Sequence, residues 1–408
     1  MKRVFLIVLD SMGIGAMDDA DIYNDVGSNT LLSISKSSFF SVPNLQRLGF
    51  FNIDSVALQP KSPNPLASFA RMKEASNGKD TLTGHFEIAG IKILKPFPVF
   101  PKGFPGSIIA DFEELINCKI VCNKPYSGTE VIKDYGEHHQ KTGDLIVYTS
   151  ADSVFQIAAH EEAVEPEKLY EYCKIAREIL VDEYLVARVI ARPFVGDPGN
   201  YVRTKNRKDF SVLPPRATML DQMKQNGFDV ISIGKISDIF ASQGITEFTY
   251  TRSNEEGMNS IVDWISRDFN GLCFANLVDF DTLYGHRNDV NGYARALSEF
   301  DKDLPRVLAN LKKEDILIIT ADHGCDPSTP STDHSREYTP LIVYGSNIKR
   351  GVNLGTRFTF SDIGSTILDY FNILPQIEGE SFLQLISDFD YMNKGVNVHE
   401  ISNESHRS

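Results

Sequence analysis

Three apolar stretches of this sequence, each with the length and composition of a buried strand, lead into acidic residues. They are the run 4–9 before Asp10, the run 272–278 before Asp279 and Asp281, and the run 316–319 before Asp322 and His323. Open α/β sheets bind their ligands in the crevice at the carboxyl ends of parallel strands. We therefore expect an α/β fold that gathers these carboxylates at one edge of its sheet.

Histidines accompany two of these three strand ends. His286 lies five positions after Asp281, and His334 lies eleven positions after His323 in a polar loop. Carboxylate oxygens together with imidazole nitrogens suit divalent cations such as manganese, zinc or magnesium. One such pair is equally well explained by a helix cap or a hydrogen-bonded histidine, so the prediction of a metal site depends on the repetition. The candidate ligands are Asp10, Asp281, His286, Asp322, His323 and His334.

Six ligands are enough for two cations, and two neighbouring cations can clamp the attacking and leaving oxygens of a phosphoryl transfer. Such a site needs a nucleophile, and Thr81 is a candidate because it lies in a polar turn before an apolar segment. Without metals beside it, a hydroxyl in such a turn is usually a helix cap. The preceding Gly78-Lys79 is not a P-loop, since Lys73 and Asp80 replace its first glycine and its Ser/Thr.

Composition narrows the class of protein. The formal net charge of −14 argues against a general nucleic-acid or membrane-surface binder, which would present a basic face. No apolar run approaches the length of a transmembrane helix. The cysteines are odd in number and irregularly spaced, which predicts reduced thiols in a cytoplasmic protein. They are Cys118, Cys122, Cys173, Cys273 and Cys325.

Two proline-rich segments, 96–105 and 213–215, divide the chain. The part between them has its own strand and helix patterns. We therefore predict a discontinuous catalytic core, 1–96 and 217–408, with an inserted domain over 97–216. The insert carries basic residues that are typical of a solvated face but would also suit a bound phosphate, namely Arg188, Arg192, Arg203, Lys205, Arg207 and Lys208. The polar tail from Asp388 is expected to be poorly ordered.

Four motifs around the candidate residues resemble the alkaline phosphatase superfamily of metalloenzymes. They are Asp-Ser-Met-Gly-Ile-Gly from Asp10, Gly-Lys-Asp-Thr-x-Thr-Gly-His from Gly78, Asp-Phe-Asp-x-x-Tyr-Gly-His-Arg from Asp279 and Thr-Ala-Asp-His-Gly from Thr320. Together with the insert motifs 148–157 and 190–194, they resemble the bacterial phosphopentomutase family. The resemblance extends from the first strand to about residue 385.

This resemblance implies an alkaline-phosphatase-like core, with a central mostly parallel sheet flanked by helices, and an inserted α+β cap domain. It implies that Thr81 carries the phosphoryl group. It also implies two Mn²⁺ ions, or other divalent cations, one held by Asp10, Asp322 and His323 and one by Asp281, His286 and His334. By the same resemblance Asp152, Arg203 and Lys235 would hold the sugar phosphate, with Arg188 and Arg192 as weaker candidates.

The reaction implied by the resemblance interconverts ribose or 2-deoxyribose 1-phosphate and 5-phosphate in nucleoside and pentose phosphate catabolism. This isomerase would work through a phosphothreonine and a sugar bisphosphate, with a bisphosphate such as glucose 1,6-bisphosphate as activator. A phosphoglycerate mutase, or a phosphatase or phosphodiesterase of the same superfamily, is an alternative. A non-catalytic sugar-phosphate-binding protein is a more remote one, for which Thr81 would be dispensable.

Overall fold

The three acid-terminated runs form strands in a computed structural model that describes residues 1–150 and 152–387. In chain order the strands are β1 (Arg3–Leu9), β2 (Ser68–Met72), β3 (Ile120–Pro125), β4 (Leu145–Thr149), β5 (Val154–His160), β6 (Arg188–Val195), β7 (Val202–Arg203), β8 (Lys208–Ser211), β9 (Asp229–Ile233), β10 (Glu247–Thr249), β11 (Gly271–Leu277), β12 (Asp315–Thr320), β13 (Thr339–Tyr344) and β14 (Asn353–Arg357). The tail from Asp388, for which the sequence predicts poor order, lies outside the described residues.

The helices of the described residues are, in chain order, α1 (Thr30–Ile34), α2 (Pro43–Leu48), α3 (Thr81–Ile88), α4 (Gly106–Ile116), α5 (Glu130–Thr142), α6 (Pro166–Ile179), α7 (Met219–Gln225), α8 (Ile236–Ile239), α9 (Asn254–Ser266), α10 (Val290–Leu308), α11 (Ser361–Tyr370) and α12 (Leu383–Ile386). Among these residues no helix is both long enough and apolar enough to span a bilayer.

The larger sheet has the strand order β10-β9-β11-β1-β12-β13-β2-β14. Strand β1 lies between β11 and β12 and is parallel to both, with Arg3 opposite Gly271 and Asp315. Five of the seven neighbouring pairs are parallel, and the two pairs that involve β13 are antiparallel. The prediction of a mostly parallel central sheet is therefore confirmed. The shared register brings the carboxyl ends of β11, β1 and β12 to one edge.

Helices cover both faces of this sheet, which explains why its central strands are continuously apolar. Along β1, Phe5, Ile7 and Leu9 pack on one face with residues of α9 and α10. The alternate residues of β1 pack on the other face with residues of α3, α7 and α11. Because side chains of a strand alternate between faces, a strand buried on both sides is predominantly apolar along its whole length.

The smaller sheet has the order β3-β4-β5-β6-β7, with β8 paired to β6. Its strands all lie between Ile120 and Ser211, while the chain leaves the larger sheet at Met72 and returns to it at Asp229. Helices α4 and α6 pack on one face and α5 packs on the other, around apolar clusters of their own. The fold class predicted from the sequence is therefore confirmed. The domain boundaries at 96/97 and 216/217 stay a prediction.

Candidate active site

The candidate site is built at the carboxyl ends of β11, β1 and β12. Asp10 directly follows β1, and Asp322 lies two residues beyond β12. Asp281 lies on a π-helical turn, Phe280–Tyr284, that follows β11. All three carboxylates are buried, with exposed fractions of 1% for Asp10, 5% for Asp281 and 0% for Asp322. Because the three strands are parallel and adjacent, their terminal acids meet in one buried cluster.

Asp10, Asp322 and His323 form what we call the first ligand group. His323 Nε2 lies 3.4 Å from Asp10 Oδ1 and 3.3 Å from Asp322 Oδ2. Its Nδ1 donates a hydrogen bond to the carbonyl oxygen of Gly324 at 3.0 Å, which directs Nε2 toward the carboxylates. The Ser11 amide donates to Asp322 Oδ1 at 3.1 Å and leaves Oδ2 facing the group.

Asp281, His286 and His334 form the second ligand group. His286 Nε2 lies 3.2 Å from Asp281 Oδ2, and His334 Nε2 lies 3.4 Å from Asp281 Oδ1. The Nδ1 of His286 donates to the carbonyl oxygen of Thr332 at 2.6 Å, which fixes the orientation of its ring. The Asp281 carboxylate also lies within 4.8 Å of the ligand atoms of Asp10 and His323, so the two groups adjoin.

These residues fit divalent cations. Four buried polar atoms at the site have no hydrogen-bond partner among the described residues: Asp10 Oδ1, Asp281 Oδ1, Asp322 Oδ2 and His334 Nε2. A buried polar atom without a partner costs about 1–3 kcal/mol, so their convergence needs an explanation. Burial and the charge of the neighbouring Asp322 raise the pKa of Asp10, which means that added positive charge would stabilise its ionised form. Oxygen and imidazole ligands of this kind suit divalent cations.

Thr81 is the first residue of α3, where the sequence predicts only a polar turn. The helix begins there because Asp80 caps it, with Oδ1 accepting from the Thr83 amide at 3.1 Å. Thr81 Oγ1 lies 3.2 Å from His323 Nε2, beside the first ligand group. The helix approaches closely enough that His85 Nδ1 donates to the Thr81 carbonyl at 2.9 Å and lies 3.1 Å from Asp322 Oδ2. His85 is thus a buried residue that supports the backbone of Thr81.

A cavity of about 600 Å³ opens from Thr81 between the two sheets. On the side of the larger sheet it is lined by Thr81, Lys235, Asp281, His286 and His334, and on the side of the smaller sheet by Asp152, Arg188, Arg192, Arg203 and Arg207. The three side chains predicted to bind substrate, Asp152, Arg203 and Lys235, therefore all line the cavity that holds Thr81.

The wall of the cavity on the side of the smaller sheet is strongly basic, and part of its charge is already paired. Asp152 Oδ2 lies 3.5 Å from an Arg188 guanidinium nitrogen, and Asp209 accepts two hydrogen bonds of 2.8 Å from Arg207. Arg203 donates from Nε to the carbonyl oxygen of Gly128 at 3.0 Å. Burial lowers the pKa of Lys235 on the opposite side of the cavity. Such a wall has the donors that a phosphate requires.

Sequence reasoning missed one buried residue at the site. Asn276 donates from Nδ2 to Asp10 Oδ2 at 3.0 Å and lies 3.3 Å from His85 Nε2. The sequence does contain an indication of this role, because Asn276 is a polar residue inside the otherwise apolar run that forms β11. A polar residue within a strand buried on both faces needs a buried partner.

Comparison with known proteins identifies the family of the chain. A family model described as the metalloenzyme superfamily matches residues 2–375. The phosphopentomutase of Lachnoclostridium phytofermentans is 62% identical over 385 residues, which are 94% of this chain and 99% of the relative. The phosphopentomutase of Acetivibrio thermocellus is 56% identical over 384 residues, with coverage of 94% and 99%.

Among solved structures, the PH0037 protein of Pyrococcus horikoshii aligns with 93% of this chain and 99% of its own, at 14% identity and a TM-score of 0.48. That likeness is too distant to bear on activity. The sequence relatives do bear on it, and they confirm the resemblance drawn from the four motifs. At 62% and 56% identity over nearly its whole length, the chain belongs to the phosphopentomutase family of metalloenzymes.

Proposed function

We propose that the chain interconverts ribose or 2-deoxyribose 1-phosphate and 5-phosphate, with Thr81 as the group that accepts and returns the phosphoryl. The observation that carries this proposal is a cavity that joins Thr81, the second ligand group and a wall of arginines, while the first ligand group adjoins both Thr81 and the second group. Family membership makes the chain an isomerase of the phosphotransferase type. It also argues against the phosphoglycerate mutase and binding-protein alternatives.

Two divalent cations, which we propose to be Mn²⁺, would be held by the first and second ligand groups. When bound, they supply the positive charge that neutralises phosphoryl oxygens and makes a threonine hydroxyl a competent nucleophile and leaving group. Their charge balances the three buried carboxylates of Asp10, Asp281 and Asp322. His286 and His334 would contribute nitrogen ligands; the hydrogen bond to Thr332 holds the ring of His286, and the ring of His334 packs against it.

The rest of the reaction is carried by residues of the chain that bind and orient the sugar. The phosphoryl group leaves Thr81 Oγ1 for the free hydroxyl of a sugar monophosphate, which gives a sugar bisphosphate. Arg203 and Lys235 would hold its other phosphate, and Asp152 would accept hydrogen bonds from the sugar hydroxyls. When the bisphosphate turns around, Thr81 takes the second phosphoryl group. A catalytic amount of a bisphosphate such as glucose 1,6-bisphosphate would prime Thr81.

The insert has a second role in this proposal, which is to exclude water. Water that reached a phosphorylated Thr81 would hydrolyse it and turn the mutase into a phosphatase. Because the insert supplies one wall of the cavity and the core supplies the other, closing the two together would expel bulk solvent. We therefore expect the cavity to close over the sugar phosphate.

Turnover of ribose 5-phosphate and 3-phosphoglycerate by the Mn²⁺-loaded chain tests the proposal. We expect ribose 1-phosphate from the former and no product from the latter; the reverse result would overturn the assignment. Arg203→Ala should raise the KM for ribose 5-phosphate at least about tenfold through loss of a phosphate contact. Lys205→Ala is the matched control, because Lys205 is an exposed cation two residues away that does not line the cavity.

We also propose that the enzyme acts in the cytoplasm on small pentose phosphates, without nucleic-acid or membrane partners. All five cysteines are free thiols, as expected for a reducing compartment. Three of them are buried, and burial raises the pKa of Cys273 well above its usual value, which makes that thiol unreactive.

A further inference from the structure

We propose that Lys79 is a positioning residue that holds Thr81 in register with the second ligand group, acting through Asp333. This inference rests on the proposed function, because it assigns Lys79 a part in phosphoryl transfer at Thr81. Lys79 lies two residues before Thr81, in the segment 73–80 that we call the nucleophile loop. The role follows from contacts that tie this loop to the segment carrying His334.

The first of these contacts is made by the side chain of Lys79. Its Nζ lies 3.2 Å from Asp333 Oδ2 and 3.0 Å from Asp25 Oδ2. The other oxygen of Asp333 accepts a hydrogen bond of 2.8 Å from the backbone amide of His334. Lys79 therefore links the backbone that carries Thr81 to the backbone that carries a member of the second ligand group.

The second contact is made by Arg336, which lies two residues after His334 and bonds to the nucleophile loop. The guanidinium of Arg336 donates to the carbonyl oxygen of Gly78 and lies 2.8 Å from Glu74 Oε2. Its backbone amide donates to Asp25 Oδ2 at 2.9 Å, the oxygen that also accepts from Lys79. Arg336 and Glu74 are buried, so breaking that pair would threaten the fold. The side chain of Lys79 is 19% exposed, so its contacts can be removed by substitution without unfolding the protein.

The contacts of Lys79 and Arg336 bear on the reaction because phosphoryl transfer needs the Thr81 hydroxyl placed against both ligand groups. Thr81 Oγ1 contacts the first group directly, through His323 at 3.2 Å. The link between Lys79 and Asp333 relates the same loop to the second group. The ammonium of Lys79 lies between two carboxylates, so its charge is already paired and is not directed at the substrate. A positioning role predicts a loss in kcat with little change in KM.

The size of the effect follows from the geometry. A displacement of about 1 Å between reacting groups can cost up to about a hundredfold in rate, so we expect Lys79→Gln to lower kcat between about tenfold and a hundredfold. Because the ion pairs of Lys79 are partly exposed, their loss should lower the thermal midpoint by no more than about 2 °C. Lys79→Arg keeps a cation at the same position and should restore most of the rate.

The experiment measures two quantities on Mn²⁺-loaded protein. One is the rate at which glucose 1,6-bisphosphate phosphorylates Thr81, followed by intact mass; the other is kcat and KM for ribose 5-phosphate. Lys73→Gln is the matched control, since Lys73 pairs with Asp18 at 3.2 Å, is 27% exposed and lies at the start of the same loop. We expect Lys79→Gln to slow phosphorylation and kcat, with KM unchanged within about twofold, while Lys73→Gln behaves as wild type.

Asp333→Asn completes a double-mutant cycle. If Lys79 acts through Asp333, the double variant should be no slower than the slower single variant. Wild-type kcat in Lys79→Gln, a raised KM with unchanged kcat, or additive losses in the double variant would each overturn the inference. A wild type that phosphorylates Thr81 but does not turn over ribose 5-phosphate would overturn only the proposed substrate. Absence of any phosphorylation in the wild type would overturn both proposals.

Discussion

Gly84→Ala should disable the enzyme through one methyl group. Gly84 lies in α3, three residues after Thr81, where the helix passes the end of β12. A Cβ at this position would lie 2.1 Å from the carbonyl oxygen of Asp322 and 2.9 Å from the Asp322 Cβ. The obstacle is backbone, so it cannot be relieved by rotation of a flexible side chain. The helix that carries Thr81 and the strand end that carries Asp322 and His323 must therefore separate.

The separation can be worked out from the contact distances. Ordinary contact begins near 3.4 Å, so helix and strand end must move apart by about 1.3 Å. Displacement of a reacting group by about 1 Å can cost up to about a hundredfold in rate, which sets the expected loss in kcat. Overpacking a well-packed contact costs about 1–3 kcal/mol, and the better helix propensity of alanine returns about 0.5–1 kcal/mol. The protein should remain folded.

The assay is kcat for ribose 5-phosphate in the presence of Mn²⁺, together with a urea unfolding curve for each variant. Gly106→Ala is the matched control: Gly106 is also helical, at the start of α4, and a Cβ there meets no atom within 4 Å. We expect the control to keep wild-type kcat. Gly84→Ala retaining kcat within about threefold of wild type would refute the claim that this close approach positions Thr81.

Two further predictions concern stability and metal content. Arg3 and Asp315 form a buried bidentate ion pair with contacts of 2.9 Å and 2.5 Å. Arg3→Met should lower the free energy of unfolding by about 3–5 kcal/mol, because it leaves the Asp315 carboxylate buried without its partner. Urea unfolding measures this loss, and a value below about 1 kcal/mol would contradict the prediction. Removing divalent cations with a chelator should abolish turnover and lower the thermal midpoint, because the buried carboxylates of Asp10, Asp281 and Asp322 then face one another without the charge of the cations. Added Mn²⁺ should restore both turnover and the thermal midpoint. Full activity after exhaustive chelation would contradict the claim that the two ligand groups hold catalytic cations.

The centre of the fold could be predicted because its signals are local. Strands β1, β11 and β12 are short, predominantly apolar and followed by acids, and a parallel sheet buried on both faces produces that pattern. Placing the acids together then follows from topology alone. Five of the six candidate ligands cluster in the structure, and Asp322 and Thr81 each contact His323 of that cluster.

Other parts of the molecule depend on contacts that leave no local pattern. Strand β2 pairs with β13, which lies some 270 positions away in the chain, and the five residues of β2 carry no pattern that predicts this pairing. The sequence predicts a turn at Thr81, but the residue opens a helix because Asp80 caps it. Gly84 then lets this helix approach Asp322. The tie from Lys79 to Asp333 likewise joins residues far apart in sequence, and only the folded chain reveals it.

The central claim is that Thr81 carries the phosphoryl group, and intact mass tests it most directly. The Mn²⁺-loaded chain and a Thr81→Ala variant would each be incubated with a catalytic amount of glucose 1,6-bisphosphate and then with ribose 5-phosphate. We predict one phosphoryl adduct on the wild-type chain, none on the variant, and discharge of the adduct as ribose 1-phosphate appears. An equal adduct on Thr81→Ala, or none on the metal-loaded wild type, would remove Thr81 from the mechanism.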